Sequence, residues 1–110
     1  MTTTDELTME EELVRKGKTA PRLTPADIDN QIKDIKFHVF PGTTLTVCAL
    51  TLKNGFHVVG ESAAASAENF DEEIGKNIAF ENARKKIWAF EGYALRNALC
   101  GRAPFNLGFR

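Results

Sequence analysis

From Lys76 to Leu99 the chain reads KNIAFENARKKIWAFEGYALRNAL, and its apolar residues recur at helical spacing on two faces, not one. On a wheel of about 100° per residue, one stripe holds Ala79, Phe80, Ala83, Ile87, Phe90, Ala94 and Ala98. A second, extended upstream, holds Ile74, Ile78, Trp88, Leu95 and Leu99. Asn82, Lys86 and Tyr93 form a narrow polar edge between them. The pattern predicts one long helix from about Asp71 to Leu99 or Cys100. Asp71, Glu72 and Glu73 crowd its N-terminal turn, where the helix dipole favours negative charge. Gly101 supplies a stop and Pro104 reinforces it. Gly75 and Gly92 lie inside and allow a kink or a break.

Upstream the periods differ. In LTPADIDNQIKDI, Thr24 suits an N-cap, Pro25 the first helical position and Asp27 the first turn. Ile28, Ile32 and Ile35 then make a narrow helical stripe. From KFHVF onward the period is two. Pro41-Gly42 suits a type II turn, TTLTVCALTL alternates, Asn54-Gly55 is a strong hairpin signal, and FHVVG pairs back. This predicts an antiparallel meander of about three strands. ESAAASAENF reads as a small-residue loop, with Ser66 or Asn69 capping the helix downstream. Residues 1–20 run from acidic (Asp5, Glu6, Glu10, Glu11, Glu12) to basic (Arg15, Lys16, Lys18) over a weak stripe of Leu7, Met9, Leu13 and Val14. They read as a mobile arm or a short surface helix. In the tail APFNLGFR, Phe105, Leu107 and Phe109 alternate, as in a short edge strand or an arm packed on a neighbour.

The expected fold is therefore α+β. A mobile N-terminal arm (1–20) precedes a single domain (21–110), in which a short helix and a meander pack on a long C-terminal helix. A helix apolar nearly all round should be buried nearly all round. A small sheet and one short helix cover one stripe. The second stripe is expected to meet another copy, as a dimer or higher oligomer, with a two-fold dimer the simplest closed solution. The alternative is that the first helix and the tail cover it within one chain.

Composition narrows the function more than it defines it. The 110 residues fit one domain, and the net charge of −1 lacks the basic signature of a duplex nucleic-acid binder. No run reaches membrane-spanning length, and MTTTDELTMEEEL has neither the basic nor the apolar region of a secretory signal, so a cytosolic protein is expected. Cys48 and Cys100 have no metal-ligand spacing and read as small buried or half-buried thiols. His38 and His57 fall on adjacent strands without a third ligand, which suits partly exposed strand histidines better than a metal site. There is no G-x-S-x-G, P-loop or G-x-G-x-x-G motif. No metal, cofactor or enzymatic activity is expected. Glu81 is placed to pair with Lys85, and Glu91 with Arg84 or Arg96, as structural ion pairs at an interface.

The polar edge is the candidate site. Asn82, Lys86, Tyr93 and Arg96 offer donors, and Phe56, His57 and Trp88 offer stacking surfaces. Cationic side chains hold phosphate and aromatic faces stack on nucleobases, which is the chemistry of a small nucleotide pocket. Lys, Asn and Tyr are also ordinary residues on a helix surface, so the constellation alone is a weak signal.

A broader pattern runs through RLTPADID and then LTVCALTLKNGFHVVGESAAASAENFDEEIGKNIAFENARKKIWAFEGYALR. Its elements are the NGFxVxGES hairpin, NFDEEIG entering the helix, AxENAxxKIW and EGYxL. From Arg22 to Leu99, about 70% of the chain, it resembles the small phage-protein family named for gene product 49 of a coliphage and gene product 66 of a Shigella phage. The first 20 residues and the tail CGRAPFNLGFR lie outside the resemblance. It implies a phage accessory protein in the host cytoplasm. Through a related anti-defence protein that counters the Thoeris system, it further implies an oligomeric sponge that binds a cyclic ADP-ribose signal without cleaving it. The resemblance assigns no ligand residue here, so the candidate positions rest on their chemistry. The alternative it leaves open is an accessory protein that binds and inhibits a host protein through the N-terminal arm or the C-terminal tail.

Overall fold

The computed structural model of the protein describes residues 4–17 and 20–101. Its sheet is set by two local turns. Across Phe40-Pro41-Gly42-Thr43, the Thr43 amide donates to the Phe40 carbonyl at 3.1 Å and Gly42 has φ 75°, the positive value a type II turn needs at that position. At the second turn the Gly55 amide donates to the Leu52 carbonyl at 2.9 Å, and the Leu52 amide donates to the Phe56 carbonyl at 2.8 Å. Gly55 has φ 88° while Asn54 stays at negative φ. Asn54-Gly55 thus closes a three-residue loop with Gly55 as its bulge, not the two-residue turn with both centres left-handed.

These turns join β1 (Ile32–Val39), β2 (Leu45–Leu52) and β3 (His57–Ala63) into an antiparallel sheet of order β1-β2-β3. Two boundaries differ from expectation. Helix α2 covers only Pro25–Asn30, entered through a capping box between Thr24 and Asp27. Ile28 is used as a helical core residue, but Ile32 and Ile35 belong to β1, where Ile35 opposes Leu50 and Phe37 opposes Cys48. The cross-strand partners outweigh another turn of helix built on β-branched residues. Glu61, Ser62 and Ala63, expected in a loop, extend β3 because the first half of β2 offers them partners: Leu45 opposes Ala63 and Thr46 opposes Ser62.

Ser66 caps a short 3₁₀ turn at Ala67–Asn69. Helix α3 then runs from Glu72 to Leu99, 28 residues, unbroken at Gly75 and Gly92. Asp71 stands outside it as the N-cap, its Oδ1 accepting from the Ile74 amide at 3.0 Å. Alternation along β2 turns Thr46, Cys48, Leu50 and Leu52 toward α3. With Ile28, Val58, Ala79, Phe80, Ala83 and Ile87 the last three form the core. The helix lies so close to β3 that a Cβ on Gly60 would collide with the backbone of Ala79 and Ala83, reaching 2.8 Å from the Ala83 Cα.

The two stripes of α3 meet different fates. A strand of seven residues spans roughly 23 Å and a helix of 28 residues roughly 42 Å, so α3 overhangs the sheet. The first stripe is buried to Ile87, but Phe90 is half exposed, and on the second stripe Ile74, Ile78 and Leu99 face solvent. The N-terminal segment, expected as an arm or surface helix, is helical at α1 (Thr4–Arg15) and reaches α3 through Glu6. The anticipated strand or arm at Phe105–Phe109 lies outside the described residues. Among the described residues no helix is long and apolar enough to cross a membrane.

Candidate functional site

The seven residues picked for binding do not converge on one cavity. Asn82 and Lys86, one turn apart on α3, both face the outer edge of β3. Asn82 Nδ2 donates to the Glu61 carbonyl at 2.8 Å, and Lys86 Nζ donates to the Val59 carbonyl. An edge strand presents unpaired backbone groups, and these side chains satisfy two of them. Their first role is structural, although an ammonium with three donors keeps capacity for an anion.

Beyond them the helix leaves the sheet. Phe56, from the β2–β3 turn, meets Phe90 edge to face with centroids 5.3 Å apart, and both rings stay about half exposed. Lys86, Phe90 and Tyr93 follow at i, i+4 and i+7 and share one side of α3. Tyr93 is 63% exposed. Arg96, also exposed, follows Tyr93 by three positions in the last turn. Phe56 and Phe90 thus form one aromatic ledge, with Lys86 and Tyr93 on the same side of α3 by helical spacing and Arg96 beyond them, about 120° round the helix from Phe90. The sequence reading missed its remaining ring, Phe90, because helical spacing marked it as core.

Trp88 and His57 stand apart from the ledge. His57 alternates with buried Val58 and so faces the other side of the sheet, with Nδ1 3.2 Å from Thr51 Oγ1. Trp88 lies on the far side of α3, where its Nε1 donates to Glu6 Oε2 at 2.6 Å. It belongs to a polar knot centred on Arg84, which is 2% exposed. Arg84 Nη1 donates to both Glu6 oxygens at 2.8 Å, Nε donates to Asp29 Oδ1 at 2.8 Å, and Nη2 reaches the Pro25 carbonyl at 3.4 Å. Arg84, expected beside Glu91, instead ties α1 and α2 to α3. The signal available in the sequence was an arginine one position after Ala83 and three before Ile87, inside the apolar stripe.

The knot predicts an acid response. Burial pushes the Asp29 carboxyl up, yet it is held below its ordinary 3.8, with the hydrogen bond and charge of Arg84 among the causes that lower it. A depressed carboxylate contributes stability above its unfolded pKa and loses it as pH falls through the folded one. The urea midpoint of the protein is expected to fall between about pH 5 and about pH 3, and Asp29→Asn to flatten that loss. An acid loss of equal size in both proteins would remove Asp29 from the account.

An open cleft lies elsewhere, at the start of α3. Its volume is about 440 Å³, and Ser62, Ala63, Ala64, Asn69, Phe70, Asp71, Ile74, Gly75 and Ile78 line it. None of the seven candidates is among them. Asp71 lies on its wall, and Glu68, Glu72 and Glu73 are close in the chain, so negative charge opposes a phosphorylated ligand there. Among the described residues no three His, Cys, Asp or Glu side chains group as metal ligands.

No curated protein and no solved structure matches the chain. The model of the phage protein (N4 Gp49/phage Sf6 gene 66) family matches residues 23–99, which hold α2, the whole sheet and α3. Over that span lie the capping box, both turns, the Gly60 approach and the Arg84 side of the polar knot, and the chain belongs to this phage protein family.

Proposed function

We propose that this phage protein acts by binding and not by catalysis, as an anti-defence factor that sequesters a cyclic nucleotide signal of the cyclic ADP-ribose type. The observation that carries the reading is the half-exposed Phe56–Phe90 pair; by helical spacing Lys86 and the exposed Tyr93 share its side of α3 and Arg96 follows beyond them. Open aromatic faces stack on a base, and flanking cations hold a pyrophosphate. The test is native mass spectrometry of the protein with cyclic ADP-ribose isomers. The expected result is uptake of a ligand of unchanged mass. Tyr93→Ala and Arg96→Ala should each weaken binding about tenfold or more, the range of one lost stacking or phosphate contact. Absence of uptake, or affinity unchanged in both variants, rejects the site, and a ligand recovered with altered mass rejects the non-enzymatic reading.

A second reading has its own observation. Leu7, Met9 and Val14 on α1 are all more than half exposed. They suit contact with a host protein that the phage protein inhibits. Replacing the three with serine spares Glu6 and the ledge, so it separates the readings: ligand uptake should persist while host-protein binding is lost.

A further inference from the structure

The two edges of the sheet are not equivalent. On β3, side chains of α3 occupy the outward carbonyls of Val59 and Glu61. Among the described residues no side chain serves the outward backbone groups of β1 in this way. The Phe40 amide donates inward to the Leu45 carbonyl. In the alternating antiparallel pattern His38 and Lys36 therefore also turn their backbone groups toward β2, and Ile35 and Phe37 turn theirs outward. Among the described residues β1 pairs with β2 alone. The side chains of Ile35 and Phe37 oppose Leu50 and Cys48 and so lie on the helix side of the sheet. They remain 42% and 40% exposed because α3 lies over β2 and β3. An open edge with apolar side chains is a template for another strand.

We propose that β1 pairs antiparallel with β1 of a second copy, about a two-fold axis at Ile35, and merges the two sheets into one. Charge selects this register among those the backbone allows. Centring on Ile35 sets Ile35 against its own copy, exchanging two backbone hydrogen bonds, and opposes Asp34 with Lys36 twice. Centring on Lys36 opposes two lysines, centring on Asp34 opposes two aspartates, and centring on Phe37 sets Lys36 against His38. Opposite charges facing across strands stabilise a pair and like charges destabilise it. Asp34 and Lys36 are free to do this, with side chains 53% and 80% exposed and only a loose contact of 3.9 Å to each other. The two-fold sets the bulge between Ile32 and Asp34 of each copy at one end of the paired segment, so the pairing ends at both. Because the outer edges of the merged sheet are both β3, held by Lys86 and Asn82, assembly stops at two copies. The contact falls on the sheet edge, not on the second stripe of α3, where no charge selects a register.

Analytical ultracentrifugation of four full-length proteins tests this: the natural chain, Asp34→Lys, Lys36→Asp and the double exchange. The natural chain is expected to dimerise. Each single exchange makes both symmetric pairs repulsive and should raise the dimer Kd by about tenfold or more. The double exchange restores opposite charges in the same register and should restore the dimer. Both exchanged positions are on the solvent face, so circular dichroism should not change. A natural chain that stays monomeric, single variants that dimerise as tightly as the natural chain, or a double variant that fails to recover overturns the proposal.

Discussion

Gly60→Ala is expected to destabilise the protein by about 3 kcal/mol or more, the upper range for forced overpacking of a core. The added methyl would meet the Ala79 carbonyl and the Ala83 amide, both parts of the α3 backbone, with no flexible side chain to swing away. Relief requires α3 to lift from β3, which opens the packing of Val58, Ala79, Phe80 and Ala83 together. Two controls make the result specific. Adding Ala83→Gly should not rescue the variant, because the obstruction is backbone and not the Ala83 methyl. Gly92→Ala, on the overhanging part of the same helix with nothing within 4 Å of the new methyl, should instead stabilise by about 0.5–1 kcal/mol through helix propensity. Urea unfolding measures all three. A Gly60→Ala protein within about 0.5 kcal/mol of the natural one would mean the helix does not approach the sheet so closely.

The second large effect belongs to Arg84. Arg84→Met keeps the aliphatic stem but removes the cation that Glu6 and Asp29 surround. Breaking a buried ion pair from one side costs about 3–5 kcal/mol, because the remaining charges stay desolvated. Glu6 and Asp29 retain side-chain exposures of 13% and 28%, so partial hydration lowers the expected loss to about 2–4 kcal/mol. Replacing all three, with Glu6→Gln and Asp29→Asn added, should recover part of that loss. The single tryptophan, Trp88, reports locally, since its indole donates to Glu6. Its fluorescence should shift in Arg84→Met before the sheet unfolds. Unchanged stability together with unchanged Trp88 emission would show that α1 does not depend on the knot.

The range of each interaction decided whether the sequence disclosed it. Turns and caps depend on neighbours a few residues away, so Thr24 and Pro41-Gly42 announced themselves, and α3 was plain from its length and its glycine stop. Its cap was misplaced: Ser66 or Asn69 was expected, but Ser66 caps the 3₁₀ turn and Asp71, expected inside the first turn, caps α3. The end of α2 was misplaced because Ile28, Ile32 and Ile35 satisfy a helical period, while the competing partners of Ile35 and Phe37 lie on a different strand. Glu61 to Ala63 carry no apolar alternation, and only pairing with β2 makes them strand. The Arg84 knot joins residues 78 positions apart, a distance no local pattern encodes. The candidate site suffered the same way. Asn82 and Lys86 looked like idle donors because the edge carbonyls they serve become visible only when β3 is set beside α3.

Cys48 turns the packing of β2 against α3 into something that can be timed. Its side chain is fully buried, and burial pushes the thiol up to about 11, whereas Cys100 is exposed at the end of α3. Alkylating reagents attack thiolate and need access to it. The natural chain therefore takes one label at once, on Cys100, and a second only in the moments when helix and sheet part. The delay between the two labels is a clock for opening of the core, written into the protein without any added probe.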